Sequence, residues 1–217
     1  MKRIYLIPGL ATDERLFSKL HLENAELIAL RWEIPLKNDT LASYAKRLVD
    51  QIDSSKPFYL LGVSFGGMCA VEISKFLKPI KIIIVSSAKG ADELPFFIRI
   101  FKYIPLHFLF SQSMFILFSK FIKHFLATHA KDDRNLLLDM LQKTPEKYIQ
   151  RAIHCIVTWD RLSVTSNSVH IVHIHGTTDR VIPIRNLKNV IAVKGGNHFM
   201  VLNRAGEISE MINRELR

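Results

Sequence analysis

An α/β protein with a mainly parallel six-stranded sheet and helices on both of its faces is what this sequence predicts. Three observations carry the prediction. Six short apolar runs rich in isoleucine and valine alternate with longer segments of helical period, the pattern of strands joined by crossover helices. With 217 residues, nearly half of them apolar, the chain is long enough to bury one proper core without disulfide or metal staples. No internal repeat or low-complexity linker divides it.

Taken in order, the first run is residues 3–7. The N-terminus is basic and then apolar, as a signal peptide begins, but the apolar part is too short and leads straight into a helix-like segment, so it reads as the first core strand. The second run is residues 26–30. Leu41, Tyr44, Ala45, Leu48, Val49 and Ile52 then fall at helix spacing, with Thr40 or Asp39 available as cap. The third run, residues 58–63, enters Gly62-Val63-Ser64-Phe65-Gly66. A stretch apolar almost all round follows, through Met68, Cys69, Val71, Ile73 and Phe76 to about Leu77, and Pro79 stops it. It reads as a central buried helix. Residues 80–85 make the fourth run.

The rhythm then breaks. From about residue 88 to 160 there is no good strand but a long helical insertion, cut by Pro95 and Pro105 and holding Phe96, Phe97, Phe101, Phe108, Phe110, Phe115, Phe118, Phe121 and Phe125. His107, Lys120, Lys123 and His124 interrupt every window long enough to cross a membrane. Two readings stand: a lid whose aromatic face lines an acyl or alkyl pocket, or ordinary helices whose rings pack on the sheet. Arg99, Lys102, Lys120 and Lys123 are read as a solvated helix face rather than a membrane-surface contact. The runs at residues 169–175 and 190–193 complete the sheet, and Ile208, Met211 and Ile212 mark a final amphipathic helix.

The formal charge of +10 comes from scattered lysines and arginines, the pattern of a solvated basic surface rather than a nucleic-acid patch. Cys69 and Cys155 lie in apolar stretches without metal or pairing spacing, which predicts a reduced, cytoplasmic protein.

Chemistry gathers at the ends of the strands. A serine hydroxyl is a poor nucleophile unless it is held in an exposed turn beside a base and beside donors for an oxyanion. Ser64 sits in such a turn, with glycine two places before and two places after it. Its base is expected to be His198, in Gly195-Gly196-Asn197-His198-Phe199 directly after the last strand. The carboxylate that fixes the imidazole tautomer is expected to be Asp179, in the polar turn after the penultimate strand, with Asp92 as runner-up and Asp160 third. Backbone N–H groups of Phe65 and of Leu10, in Pro8-Gly9-Leu10 after the first strand, are the expected oxyanion donors. His170, His173 and His175 have weak metal-ligand spacing, but their strand should be central, and no metal is assigned to them. Neither a phosphate-binding glycine loop nor a nucleic-acid motif occurs.

These three segments, residues 62–66, 176–183 and 196–199, give the chain its resemblance to the α/β-hydrolase fold superfamily over nearly its whole length. The resemblance implies a single domain over residues 1–217, strand order 2-1-3-4-5-6, a helical lid inserted after the fourth strand at about residues 88–160, and a two-step acyl-enzyme mechanism. Pro8-Gly9 replaces the usual His-Gly of the oxyanion loop, the two N-terminal antiparallel strands of larger members are missing, and the segment from Asp179 to His198 is short for a full helix. The expected activity is that of a serine hydrolase, a carboxylesterase or thioesterase acting on a small to medium, apolar acyl substrate with no cofactor. Carbon-carbon bond hydrolysis, lyase or acyltransferase chemistry on the same triad is the alternative, and a non-enzymatic protein using the Phe-rich segment as a lipid or membrane contact is a third reading.

Overall fold

A computed structural model describes residues 1–96, 98, 102, 108, 130–159 and 169–217. Six strands form one sheet: β1 (Lys2–Ile7), β2 (Ala25–Ala29), β3 (Phe58–Val63), β4 (Lys81–Val85), β5 (His170–Gly176) and β6 (Ile191–Val193). Their order is β2-β1-β3-β4-β5-β6 and every pairing is parallel. Each strand lies within a residue of its predicted run.

Side chains alternate across a strand, so a sheet covered on both faces needs apolar residues at consecutive positions. Tyr5, Ile7, Leu60, Ile82 and Ile84 belong to one core with Tyr44 and Leu48 of α1 (Leu41–Leu48) and Met68 and Cys69 of α2 (Phe65–Ile73). Ile4, Leu6, Leu61, Val63, Ile83 and Val85 belong to the opposite core. There they meet Val201 of the short α5 (Met200–Asn203) and Ile208 and Ile212 of α6 (Ala205–Leu216). Among the described residues of the insertion lie α3 (Lys131–Lys143) and α4 (Glu146–Val157), which supply Leu137 and Met140 to the second core and Tyr148, Ile149, Ala152 and Cys155 to the first.

Local chemistry sets the helix ends. Thr40 caps α1, its hydroxyl accepting the Ser43 N–H while Ser43 Oγ accepts the Thr40 N–H. Every residue of α2 is buried, as its apolar circumference predicts. It ends at Ile73 rather than near Leu77. Ser74 Oγ donates to the Val71 carbonyl, and the N–H groups of Lys75 and Phe76 bond three residues back, so residues 74–77 form tightened turns. Between Asp179 and β6 there is a single 3-10 turn, Ile184–Asn186, as the short spacing predicts. Of the insertion's nine phenylalanines only Phe96 and Phe108 fall within the described residues, both exposed, and Asp160 falls outside them. Among the described residues no helix is long and apolar enough to cross a membrane.

Candidate active site

Parallel pairing brings the C-terminal ends of β1, β3, β5 and β6 to one edge of the sheet, and the loops leaving those ends carry the candidate residues. Ser64 joins β3 to α2 with φ 53° and ψ −120°, a strained conformation for a residue with a Cβ. Its N–H donates to the Val85 carbonyl at 3.0 Å, and its own carbonyl accepts the Ser87 hydroxyl at 2.7 Å, so the turn is held from β4. The flanking glycines are required by main-chain approach. A Cβ on Gly66 would lie 2.1 Å from the Ile7 carbonyl oxygen, and one on Gly62 would lie 2.5 Å from that of Gly66. Phe65 opens α2, so its N–H has no intrahelical acceptor and lies at the positive end of the helix dipole.

Asp179 and His198 are buried and arrive on two loops joined to each other. Thr177 N–H donates to the Val193 carbonyl at 3.0 Å, Thr178 N–H to that of Gly196 at 2.9 Å, and Gly195 N–H to Thr177 Oγ1 at 2.8 Å. The backbones are so close that a Cβ on Gly176 would lie 2.2 Å from the Gly196 oxygen. His198 Nδ1–H donates to Asp179 Oδ2 at 2.7 Å, and its Nε2 is 3.0 Å from Ser64 Oγ. An ionised carboxylate only accepts, so the ring proton sits on Nδ1 and Nε2 is left to accept from the serine hydroxyl.

Burial pushes the Asp179 carboxyl up, but the net displacement is below the usual carboxylate range. The His198 ring, the Ile182 N–H and the His175 ring together outweigh burial. Asp179 Oδ1 also accepts the N–H groups of Val181 and Ile182 at 2.8 and 2.9 Å. Behind it, His175 Nε2–H donates to the Ile182 carbonyl at 2.8 Å with Asp179 Oδ2 3.3 Å away, and His175 Nδ1 accepts from His173 Nε2–H at 3.2 Å. Burial above all lowers both pKa values, that of His173 to about 3.

A hollow of about 290 Å³ opens over Ser64 and His198. Its floor is the loop of Gly9, Leu10, Ala11 and Thr12, and its walls are Leu137, Leu138, Leu141, Ile149, Val181 and Phe199. A larger hollow of about 410 Å³ around Lys2, Arg3 and Lys56 lies at the N-terminal ends of the strands, away from these groups.

A family model described as the alpha/beta hydrolase family matches residues 4–210. The chain belongs to the alpha/beta hydrolase family. No curated protein sequence matches it. Among solved structures, an esterase (EaEST) from Exiguobacterium antarcticum superposes with a TM-score of 0.76 at 15% identity, covering 100% of this chain and 92% of that one. A bromoperoxidase from Bacillus anthracis gives 0.75 at 17% identity over 99% and 91% of the two chains. MenH from S. aureus gives 0.76 at 14% identity over 99% and 93%. At these identities the likeness is one of fold.

In this alpha/beta hydrolase the three predicted side chains, Ser64, Asp179 and His198, form one hydrogen-bonded line, and Leu10 lies in the floor beside Ser64. Asp92, the runner-up acid, is exposed and makes no bond to His198. His173 and His175 are bonded to each other, and His175 also to the Ile182 carbonyl, and among the described residues no group of three or more candidate ligands could hold a metal. The sequence reading missed the leucine wall of α3 and the support of Asp179 by His175. The reading of the insertion rested on its phenylalanines and did not single out Leu137, Leu138 or Leu141.

Proposed function

We propose that the chain is a serine hydrolase of the carboxylesterase or thioesterase kind, acting on a small to medium, uncharged acyl group through a covalent acyl-enzyme. The observation that carries this reading is the Ser64–His198–Asp179 line opening into an apolar hollow of about 290 Å³. In the proposed cycle Ser64 Oγ attacks the acyl carbonyl as His198 Nε2 takes its proton, and Asp179 stabilises the imidazolium. The N–H groups of Leu10 and Phe65 receive the oxyanion. His198 returns the proton to the leaving oxygen or sulfur, then takes one from the water that attacks the acyl-enzyme and gives it to Ser64 Oγ as the acid departs. Ser64, His198 and water account for every proton, so the proposal needs no metal or cofactor. The leucines of α3 and Ile149 of α4 support a lid that shapes the acyl pocket, with no charged side chain in its described lining besides His198 when protonated.

Ser64→Ala tests the reading. Turnover of p-nitrophenyl butyrate is expected to fall by about 10⁴-fold or more, while circular dichroism and the thermal midpoint stay close to wild type. Wild-type turnover in that variant would overturn the proposal. A panel of esters, thioesters and carbon-carbon cleavage substrates then distinguishes hydrolysis of acyl esters from other reactions on the same residues.

A further inference from the structure

The carbonyl of Gly9 takes more donors than its turn requires. Thr12 N–H reaches it at 3.2 Å and closes the turn over Leu10 and Ala11. The Thr12 hydroxyl adds a second bond at 2.9 Å, and the indole Nε1–H of Trp32, from the segment after β2, adds a third at 3.3 Å. A trans peptide holds its N–H antiparallel to its C=O, and among the described residues no peptide bond is cis. Whatever fixes the direction of the Gly9 carbonyl therefore fixes the opposite direction for the Leu10 N–H.

The same turn carries strain. Ala11 has φ 56°, a left-handed value where glycine is the usual occupant, and such a conformation persists only where its surroundings over-determine it. The Trp32 ring also reaches the second donor. Its centroid lies 5.3 Å from that of Phe65, and it stacks on Tyr44 at 6.1 Å, which in turn stacks on Phe65 at 6.1 Å. One indole thus bonds the peptide that presents the Leu10 N–H and packs on the residue that presents the other N–H.

We propose that Trp32 and Thr12 are positioning residues that aim the oxyanion donors: both fix the Gly9–Leu10 peptide, and Trp32 also packs on Phe65. The inference rests on the reading of Ser64 as nucleophile and of Leu10 and Phe65 as donors. Trp32 lies outside the lining of the hollow, and Thr12 lines it with its hydroxyl turned to the Gly9 carbonyl. They act on the direction of an N–H, and direction matters most when charge develops on the oxygen, so their removal acts on kcat rather than on KM.

The experiment compares wild type, Trp32→Phe, Thr12→Val, Thr12→Ser, Tyr44→Phe and Ser64→Ala. It measures kcat and KM for p-nitrophenyl butyrate, the rate of Ser64 labelling by a fluorophosphonate, and the thermal midpoint. Trp32→Phe keeps a ring and removes the donor. Its kcat and its labelling rate are expected to fall about tenfold, with KM within about twofold of wild type. Thr12→Val is expected to fall similarly, and Thr12→Ser, which keeps the hydroxyl, to recover to within about twofold. Tyr44→Phe loses the hydroxyl bond to the Glu33 carbonyl in the same aromatic cluster without touching Gly9, so its kcat should stay at the wild-type value even where its midpoint drops. The inference is overturned by an unchanged kcat in both Trp32→Phe and Thr12→Val, by a change confined to KM, or by an equal kcat loss in Tyr44→Phe. If Ser64→Ala retains turnover, the underlying reading fails with it; if Ser64→Ala is inactive and the other variants are normal, the inference fails alone.

Discussion

At the scale of single residues, the histidines behind Asp179 give the protein an acid liability. His173 is buried, and burial, the neighbouring His175 ring and Lys89 lower its pKa to about 3 against a weaker upward pull from the Ser87 backbone and Asp179. The unfolded chain binds a proton at this position below its ordinary value of 6.5, and the folded chain refuses it until about pH 3. Stability from this group is therefore intact above pH 6.5 and falls as the pH drops, by about 1.4 kcal/mol per unit. Asp179 works in a lower window, since its depressed pKa withholds stability only below the ordinary value of 3.8. Between pH 7 and pH 5 the wild-type thermal midpoint should drop about 5 °C further than that of His173→Asn. Parallel curves for the two would remove the buried neutral histidine as the cause.

At the scale of elements, the proposed hydrolase reading makes α3 a limit on the acyl group among the described residues, because Leu141 lies one turn from both Leu137 and Leu138 and all three line the hollow over Ser64. Leu141 is half-buried and leans into the hollow, so a larger ring there shortens the space without disturbing the sheet. Leu141→Trp should lower kcat/KM for p-nitrophenyl octanoate at least about tenfold while leaving the acetate ester within about threefold. A uniform loss across chain lengths would place the chain elsewhere. The strands were readable because runs such as residues 80–85 are apolar on both faces, and α1 because Thr40 precedes an amphipathic stripe. The leucine wall was not readable, since periodicity reports that a face is buried and is silent about its partner. The end of α2 was hidden for a related reason. The apolar residues continue to Leu77, while the Ser74 hydroxyl and the three-residue-back bonds that tighten the chain are local main-chain chemistry.

At the scale of the whole molecule, the candidate triad was legible because each member follows a strand and a parallel sheet collects those ends on one edge. Trp32 and the Gly9 carbonyl were not, because a bond from an indole to a backbone oxygen between the loops after two neighbouring strands leaves no pattern in sequence. The same sheet gives the three side chains unequal anchorage. Ser64 leaves β3, which is paired on both sides by β1 and β4. His198 lies beyond β6, an edge strand of three residues paired to β5 alone, with Ile191 40% exposed. Short edge strands open at a fraction of the global unfolding free energy. The loops of His198 and Asp179 are stitched through Thr177 and Thr178, so an opening of β6 would carry His198 out of line with Ser64 and slacken Asp179 in the same event, while Ser64 stays in its strained turn. Ester turnover should then vanish at a lower urea concentration than tryptophan fluorescence changes, return at once on dilution, and coincide with early amide exchange in β6 but not in β3. The protein would spend part of its folded life with β1 to β5 still paired, Ser64 in its turn and His198 away from it.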